Sequence, residues 1–189
     1  MGRCVKMTDN IMTGLKLLLI TAIATFALAL TQMITEEPIR IQAERASNEA
    51  RAVVLESADE FAELDVSEKT YPNIMEAHEG RMGNNITGYT FKTVSRGYGG
   101  DVIVIVGIDE GGNLSGVRIV QQSETPGLGA RVGEPGFYEQ YRGISAENQI
   151  EGSALSAVSG ATVSSNAVTN AVNYAIDYYQ AELADGGGN

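Results

Sequence analysis

From Leu17 to Thr35 the chain carries no charged residue and is built mainly of Leu, Ile, Ala and Phe. As a helix at about 1.5 Å per residue this run spans roughly 28 Å, close to the hydrocarbon thickness of a bilayer. A basic start followed by an apolar run also fits a cleaved signal peptide. The run is long for that, and the Ala27-x-Ala29 spacing lies inside it with apolar residues following. We therefore read residues 17–35 as a retained transmembrane helix.

Charge sets its expected orientation. Arg3, Lys6 and Lys16 against Asp9 precede the span, and Glu36 and Glu37 follow it. The positive-inside rule places residues 1–16 in the cytoplasm and the rest of the chain on the extracytoplasmic face of the cell membrane. From residue 35 onward the chain has 10 Lys/Arg and 23 Asp/Glu, a net of −13. Such a surface repels nucleic acid and anionic headgroups, so neither is an expected partner beyond the bilayer that holds the anchor. Cys4 is the single cysteine, so no internal disulfide and no iron–sulfur cluster can form, and it reads as an ordinary free thiol.

Ile39 to Leu64 is rich in Ala, Glu and Arg, with Ile39, Ala43, Ala46, Ala50, Val53 and Val54 at helical spacing. This predicts a membrane-proximal helical segment within residues 36–69. Tyr71-Pro72 breaks it. Met75 to Asn85 shows no clear period and contains His78, the one histidine, which has no second ligand at metal-binding spacing and reads as a surface or packing position.

A β region follows. Tyr89 to Val94 alternates, and Arg96-Gly97-Tyr98-Gly99-Gly100 turns the chain. Val102 to Val106 is apolar on both faces and predicts a buried strand, and Asp109 to Asn113 turns again. Val117 to Gln121 returns as an antiparallel partner. Neither glycine cluster has the spacing of a dinucleotide fingerprint. Glu124-Thr125-Pro126-Gly127-Leu128-Gly129 is then a constrained loop, in which Pro fixes one φ and two glycines allow close approach of a ligand. Pro135 to Ile150, with Phe137, Tyr138 and Tyr141, reads as a surface element. Arg131 and Arg142 could meet a phosphate or pair with local carboxylates.

The most informative corner is Ser159-Gly160-Ala161-Thr162-Val163-Ser164-Ser165. From Val163 onward, Ala167, Ala171, Ala175, Tyr179 and Leu183 recur every four residues, with Val168, Val172 and Ile176 beside them. That stripe predicts a long amphipathic helix starting at this corner. Free N–H groups and the positive end of the helix dipole favour an anion there, phosphate above all. An ordinary Ser or Thr cap on a tight Gly-Ala corner is the competing reading. Residues 186–189, three glycines and an asparagine, are expected to be a disordered tail.

Ser159-Gly160-Ala161-Thr162, followed by Ser164-Ser165, resembles the flavinylation motif of FMN-binding domains. These occur in the G subunit of Rnf electron-transport complexes and the C subunit of sodium-pumping NADH:quinone oxidoreductases. The position three before the motif, usually acidic in that family, is Ser156 here. The hexad from Glu124 to Gly129, Gly97-Tyr98-Gly99-Gly100 and Val106-Gly107-Ile108 also resemble the family's pattern, so the likeness covers roughly residues 70–183.

The resemblance implies an α+β fold. A single N-terminal transmembrane helix would precede one compact extracytoplasmic FMN-binding domain, residues 70–185, with an antiparallel sheet and a long C-terminal helix. It implies FMN esterified through its phosphate to Thr162 by a separate flavin transferase. Ser159, Gly160, Ala161, Val163, Ser164 and Ser165 would surround the phosphate, and Thr125, Gly127 and Leu128, with Glu124 nearby, would face the ring. The implied function is electron carriage alongside the other membrane and redox subunits of an Rnf-type ion-translocating complex. No catalytic triad, general base or metal site is evident. The alternatives left open are a non-covalent FMN or phospholigand module, and a structural or sensory membrane subunit.

Overall fold

The computed structural model describes residues 2–67 and 70–184, which form two units, Met1–Glu44 and Arg45–Asn189. The first helix, α1, runs from Gly2 to Val54 without interruption, carrying Pro38 in its interior. Side chains such as Leu18, Ile23, Phe26, Leu28 and Ile34 are all exposed. The helix is long and apolar enough to cross a membrane. Beyond Pro38, Arg40 bonds Glu37 and Glu44 one turn away on either side (2.8 and 2.7 Å), which supports helix where proline has removed a backbone donor. The expected tail at 186–189 and the side chain of Cys4 lie outside the described residues.

The second unit is built on five strands: β1 (Glu60–Leu64), β2 (Ile74–Met82), β3 (Asn85–Arg96), β4 (Asp101–Asp109) and β5 (Leu114–Gln121). They lie in sequence order, every neighbouring pair antiparallel. Two expectations need correction here. The helix read from Ile39 to Leu64 ends at Val54, and its last residues are strand β1, because pairing of Phe61 with Gly80 and its neighbours overrides the helical leaning of an Ala/Glu-rich stretch. The compact unit therefore begins at Arg45, well before residue 70. The segment from Met75 is β2; its period is masked by register shifts between Ile74 and Glu76 and between Gly80 and Arg81.

The long helix α3 (Thr162–Glu182) packs on one face of the sheet. Val168, Val172 and Ile176 are fully buried against a cluster that includes Phe91, Val104 and Val106, each such side chain contributing about 1.5–3 kcal/mol. Between β5 and α3 lies a short helix, α2 (Pro135–Tyr138), and a following 3-10 turn at Glu139–Tyr141. Phe137, Tyr138 and Tyr141 are buried (5, 8 and 0 % exposed), which corrects the surface reading of this segment. Without them the end of the core beside β5 would be open to water.

The other face of the sheet takes the last turns of α1. Ala50 and Val54 pack on Ile105. The fit requires glycine: a Cβ on Gly107 would stand 2.6 Å from the Val54 carbonyl, and one on Gly116 would stand 3.1 Å from the Val54 Cα. Beside this contact, buried Arg51 pairs with Glu76, whose second oxygen accepts from Lys92 Nζ at 2.7 Å. Burial pushes the Glu76 carboxyl up, but Lys92 and then Arg51 outweigh it and hold it below 4.5. His78 is held below 6.5 by burial first and by Arg51 next.

These two groups give the unit an acid sensitivity of definite sign. An unfolded chain takes up the His78 proton below about pH 6.5 and the Glu76 proton below about pH 4.5, before the fold does. Stability is therefore full above pH 6.5 and falls in two steps on acidification. Thermal unfolding followed from pH 7.5 to 3 should show the upper step and the onset of the lower one, and His78→Gln should remove the upper step alone.

Candidate functional site

Three segments meet at one end of the sheet. The turn after β3 presents Tyr98, the loop after β5 presents Glu124, Thr125, Leu128 and Gly129, and the start of α3 presents Gly160 to Ser164. Together they line a cleft of 560 Å³, within the range of small-molecule sites.

Each segment is shaped locally. After Gln121 the chain leaves the sheet and turns back, with Leu128 N–H donating to the Thr125 carbonyl at 3.2 Å and Gly127 at φ +75. Leu128 stays 46 % exposed at the cleft. Gly160, at φ +76, redirects the chain into α3. The helix begins with Ala161 in the capping position, and no side chain caps it. Its first closed bond runs from Ser165 N–H to the Ala161 carbonyl at 2.9 Å. The N–H groups of Thr162, Val163 and Ser164 are thus the free donors of a helix end. The hydroxyl-cap reading of this corner does not describe it.

The hydroxyls divide sharply. Thr162 is exposed on the first residue of α3, beside Val163, which is 53 % exposed although it heads the apolar stripe. Ser164 and Ser165 are buried (2 and 3 % exposed). Ser164 Oγ donates to Glu124 Oε2 at 2.7 Å, and Ser165 Oγ accepts the Val158 N–H at 2.9 Å. Both are spent inside the protein, so an anion at the helix end would meet their neighbours' backbone donors and not these side chains.

Of the eleven residues singled out from sequence, Glu124, Thr125, Leu128, Gly160, Ala161, Thr162, Val163 and Ser164 come together on the cleft, while Ser159, Gly127 and Ser165 do not line it. Two lining residues were not singled out, Tyr98 and Gly129. Tyr98 had a legible signal, an aromatic residue alone among three glycines, which has no core to reach from a tight turn; its side chain is 76 % exposed. Arg131 pairs with Glu134 at 3.6 Å, and Arg142 donates to the Ser115 carbonyl and faces Glu56. Neither lines the cleft.

Chemically the cleft offers free helix-end donors, the exposed hydroxyl-bearing residues Thr162, Thr125 and Tyr98, and apolar surface from the Tyr98 ring, Leu128 and Val163. Among the described residues that line it there is no imidazole, thiol or amine, and Glu124 is its one carboxylate. Among the described residues no group of His, Cys, Asp and Glu is placed to hold a metal ion. The arrangement suits holding a ligand with an anionic end and a flat apolar end.

Comparison with known proteins bears on which ligand. The FMN-binding domain family matches residues 97–177, a span that contains all three segments of the cleft. The G subunit of the Na(+)-translocating ferredoxin:NAD(+) oxidoreductase complex of Acetobacterium woodii is 33 % identical over 187 residues, covering 88 % of this chain and 90 % of that one. The G subunit of the ion-translocating oxidoreductase complex of Methanosarcina acetivorans is 29 % identical, with 88 % and 92 % covered. Among solved structures, the C subunit of the Na(+)-translocating NADH-quinone reductase of Parabacteroides distasonis aligns with a TM-score of 0.42 at 18 % identity, covering 55 % of this chain and 61 % of that one. Near full-length similarity at this identity, together with the matched domain, means that the chain belongs to the FMN-binding-domain family of G subunits of Rnf-type ion-translocating oxidoreductase complexes.

Proposed function

We propose that this chain is a membrane-anchored flavoprotein subunit of an Rnf-type ion-translocating oxidoreductase, and that FMN is joined by a phosphoester to Thr162. The observation that carries the reading is the exposed Thr162 hydroxyl at the side-chain-uncapped start of α3, on the wall of a 560 Å³ cleft. The residues present fit the group. Free N–H donors at the helix end suit a phosphate, and the apolar surfaces of Leu128 and Val163 suit a flat ring.

In the product the Thr162 oxygen would be the bridging ester oxygen: its hydroxyl would attack the flavin-side phosphorus of a flavin dinucleotide, the P–O–P bond would break, and a nucleoside monophosphate would leave, so that the chain gains the mass of FMN minus water. A separate flavin transferase carries out this step. The flavin, when bound, supplies the capacity to take up and release electrons. The chain supplies position: the α3 end balances phosphate charge, and the Thr125–Gly129 loop shields the ring. In this reading the chain itself carries electrons between partners, and substrate turnover belongs to other subunits. We place α1 across the membrane with its N-terminus in the cytoplasm and the flavin on the outer face, where the other subunits of the complex meet it.

The test is intact and peptide mass on the full chain co-expressed with a flavin transferase. The peptide containing Thr162 should gain the mass of FMN minus water. An unmodified peptide from yellow protein whose flavin is released by acid would move the reading to a non-covalent binder. Colourless protein would leave an anchored structural or sensory subunit.

A further inference from the structure

The carboxylate of Glu124 is 6 % exposed, yet it lines the cleft. Its Oε1 accepts the N–H of Tyr98 at 2.9 Å and that of Gly99 at 3.3 Å. Its Oε2 accepts the Ser164 hydroxyl at 2.7 Å and is also 3.3 Å from the Gly99 N–H. One side chain of the loop after β5 therefore ties together the turn after β3 and the first turn of α3. Those are the three segments that make the cleft.

Glycines make room for it. A Cβ on Gly97 would fall 2.1 Å from Oε1, and one on Gly129 would fall 2.7 Å from Oε2. A buried charge is tolerated here because backbone donors, a hydroxyl and the positive end of α3 all face it. Charge-assisted bonds of this kind are about twice as strong as neutral ones. With its oxygens so engaged, Glu124 is poorly placed to serve as a ligand to anything entering the cleft.

We propose that Glu124 is the positioning residue of the flavin cleft, a clasp that fixes the Tyr98 turn and the Thr162 end of α3 at the separation the ring requires. This rests on the FMN reading. Its consequence is that the cleft is set before the cofactor arrives: Tyr98 is held by its backbone while its ring stands in solvent, ready to cover a flat ligand.

The test uses the full chain in detergent, with and without the transferase. In the flavin-free protein, Glu124→Ala should speed amide exchange at Tyr98 and Gly99 by about tenfold or more, with β4 amides such as Val104 unchanged. In the co-expressed protein the same change should lower flavin content about fivefold or more and weaken the visible circular dichroism of what remains. Glu124→Gln, which keeps the shape and one carbonyl acceptor, should speed exchange only about threefold and restore flavin to more than about half of the parent level.

Unchanged exchange at Tyr98 and Gly99 in Glu124→Ala would overturn the clasp. Faster exchange with parental flavin content and dichroism would overturn its positioning role. Should Glu124→Ala lose β4 protection as well, Glu124→Gln decides by the same readings: exchange raised at Tyr98 and Gly99 alone supports the clasp, and parental exchange overturns it. A parent chain that takes up no flavin would refute the cofactor reading while the exchange measurement still judged the clasp.

Discussion

Thr162→Ala should give a folded chain that retains no denaturation-resistant flavin. A threonine capping a helix loses about 1 kcal/mol of stability when replaced by alanine. Thr162 does not cap: the capping position belongs to Ala161, no side-chain bond closes the helix end, and Thr162 is exposed. Its replacement should therefore change the unfolding free energy by no more than about 0.5 kcal/mol, while in-gel flavin fluorescence after denaturation drops to background. The pairing of the two readings matters. A loss of both flavin and stability would mark Thr162 as a structural residue, and retained fluorescence would place the acceptor elsewhere. Thr162→Ser, which preserves the hydroxyl, should keep part of the label.

The largest loss of stability is expected from Tyr141→Ala, at about 3–5 kcal/mol in chemical denaturation. Tyr141 is fully buried, packs edge-on to Phe137 with ring centroids 5.9 Å apart, and shares a 2.8 Å bond with Thr169 Oγ1. Thr169 in turn donates to the Ser165 carbonyl at 3.3 Å, and Ser165 Oγ accepts the Val158 N–H. Removing the ring opens a cavity beneath the first turns of α3 and unties the chain that leads to Thr162. Tyr141→Phe keeps the packing and loses one buried bond, for about 1 kcal/mol. Burial pushes the Tyr141 phenol up to about 12 against a lowering by Thr169, so it stays protonated throughout such a titration near neutral pH. A Tyr141→Ala variant as stable as the parent would show that this crossover is not part of the core.

Much of the architecture was legible because one physical signal dominated each stretch. Val102 to Val106 is apolar on both faces, and it forms part of a strand buried on both sides. The stripe from Ala167 to Ile176 could satisfy itself only as a helix with one face inside, and α3 does so. Segments with two competing signals misled. Glu60–Leu64 has helical composition, but its backbone is claimed by β2. The aromatics between Phe137 and Tyr141 sit in a short polar stretch without period, so nothing local says that they turn inward.

The site divides in the same way. The sequence by itself determined the anchor-like run, the glycine corners, a helix starting within the Ser159–Ser165 corner and the hydroxyls gathered there. These are local properties, set by hydropathy, by which residues tolerate φ > 0 and by helix periodicity. Only the tertiary structure decided what each hydroxyl and carboxylate does. Thr162 faces the cleft while Ser164, two residues on, turns inward to Glu124. Tyr98 joins the site from a turn 26 positions before its partner Glu124. Such pairings follow from how strands and helix stack, because burial and hydrogen bonding are settled by neighbours in space, and spacing along the chain carries no record of them.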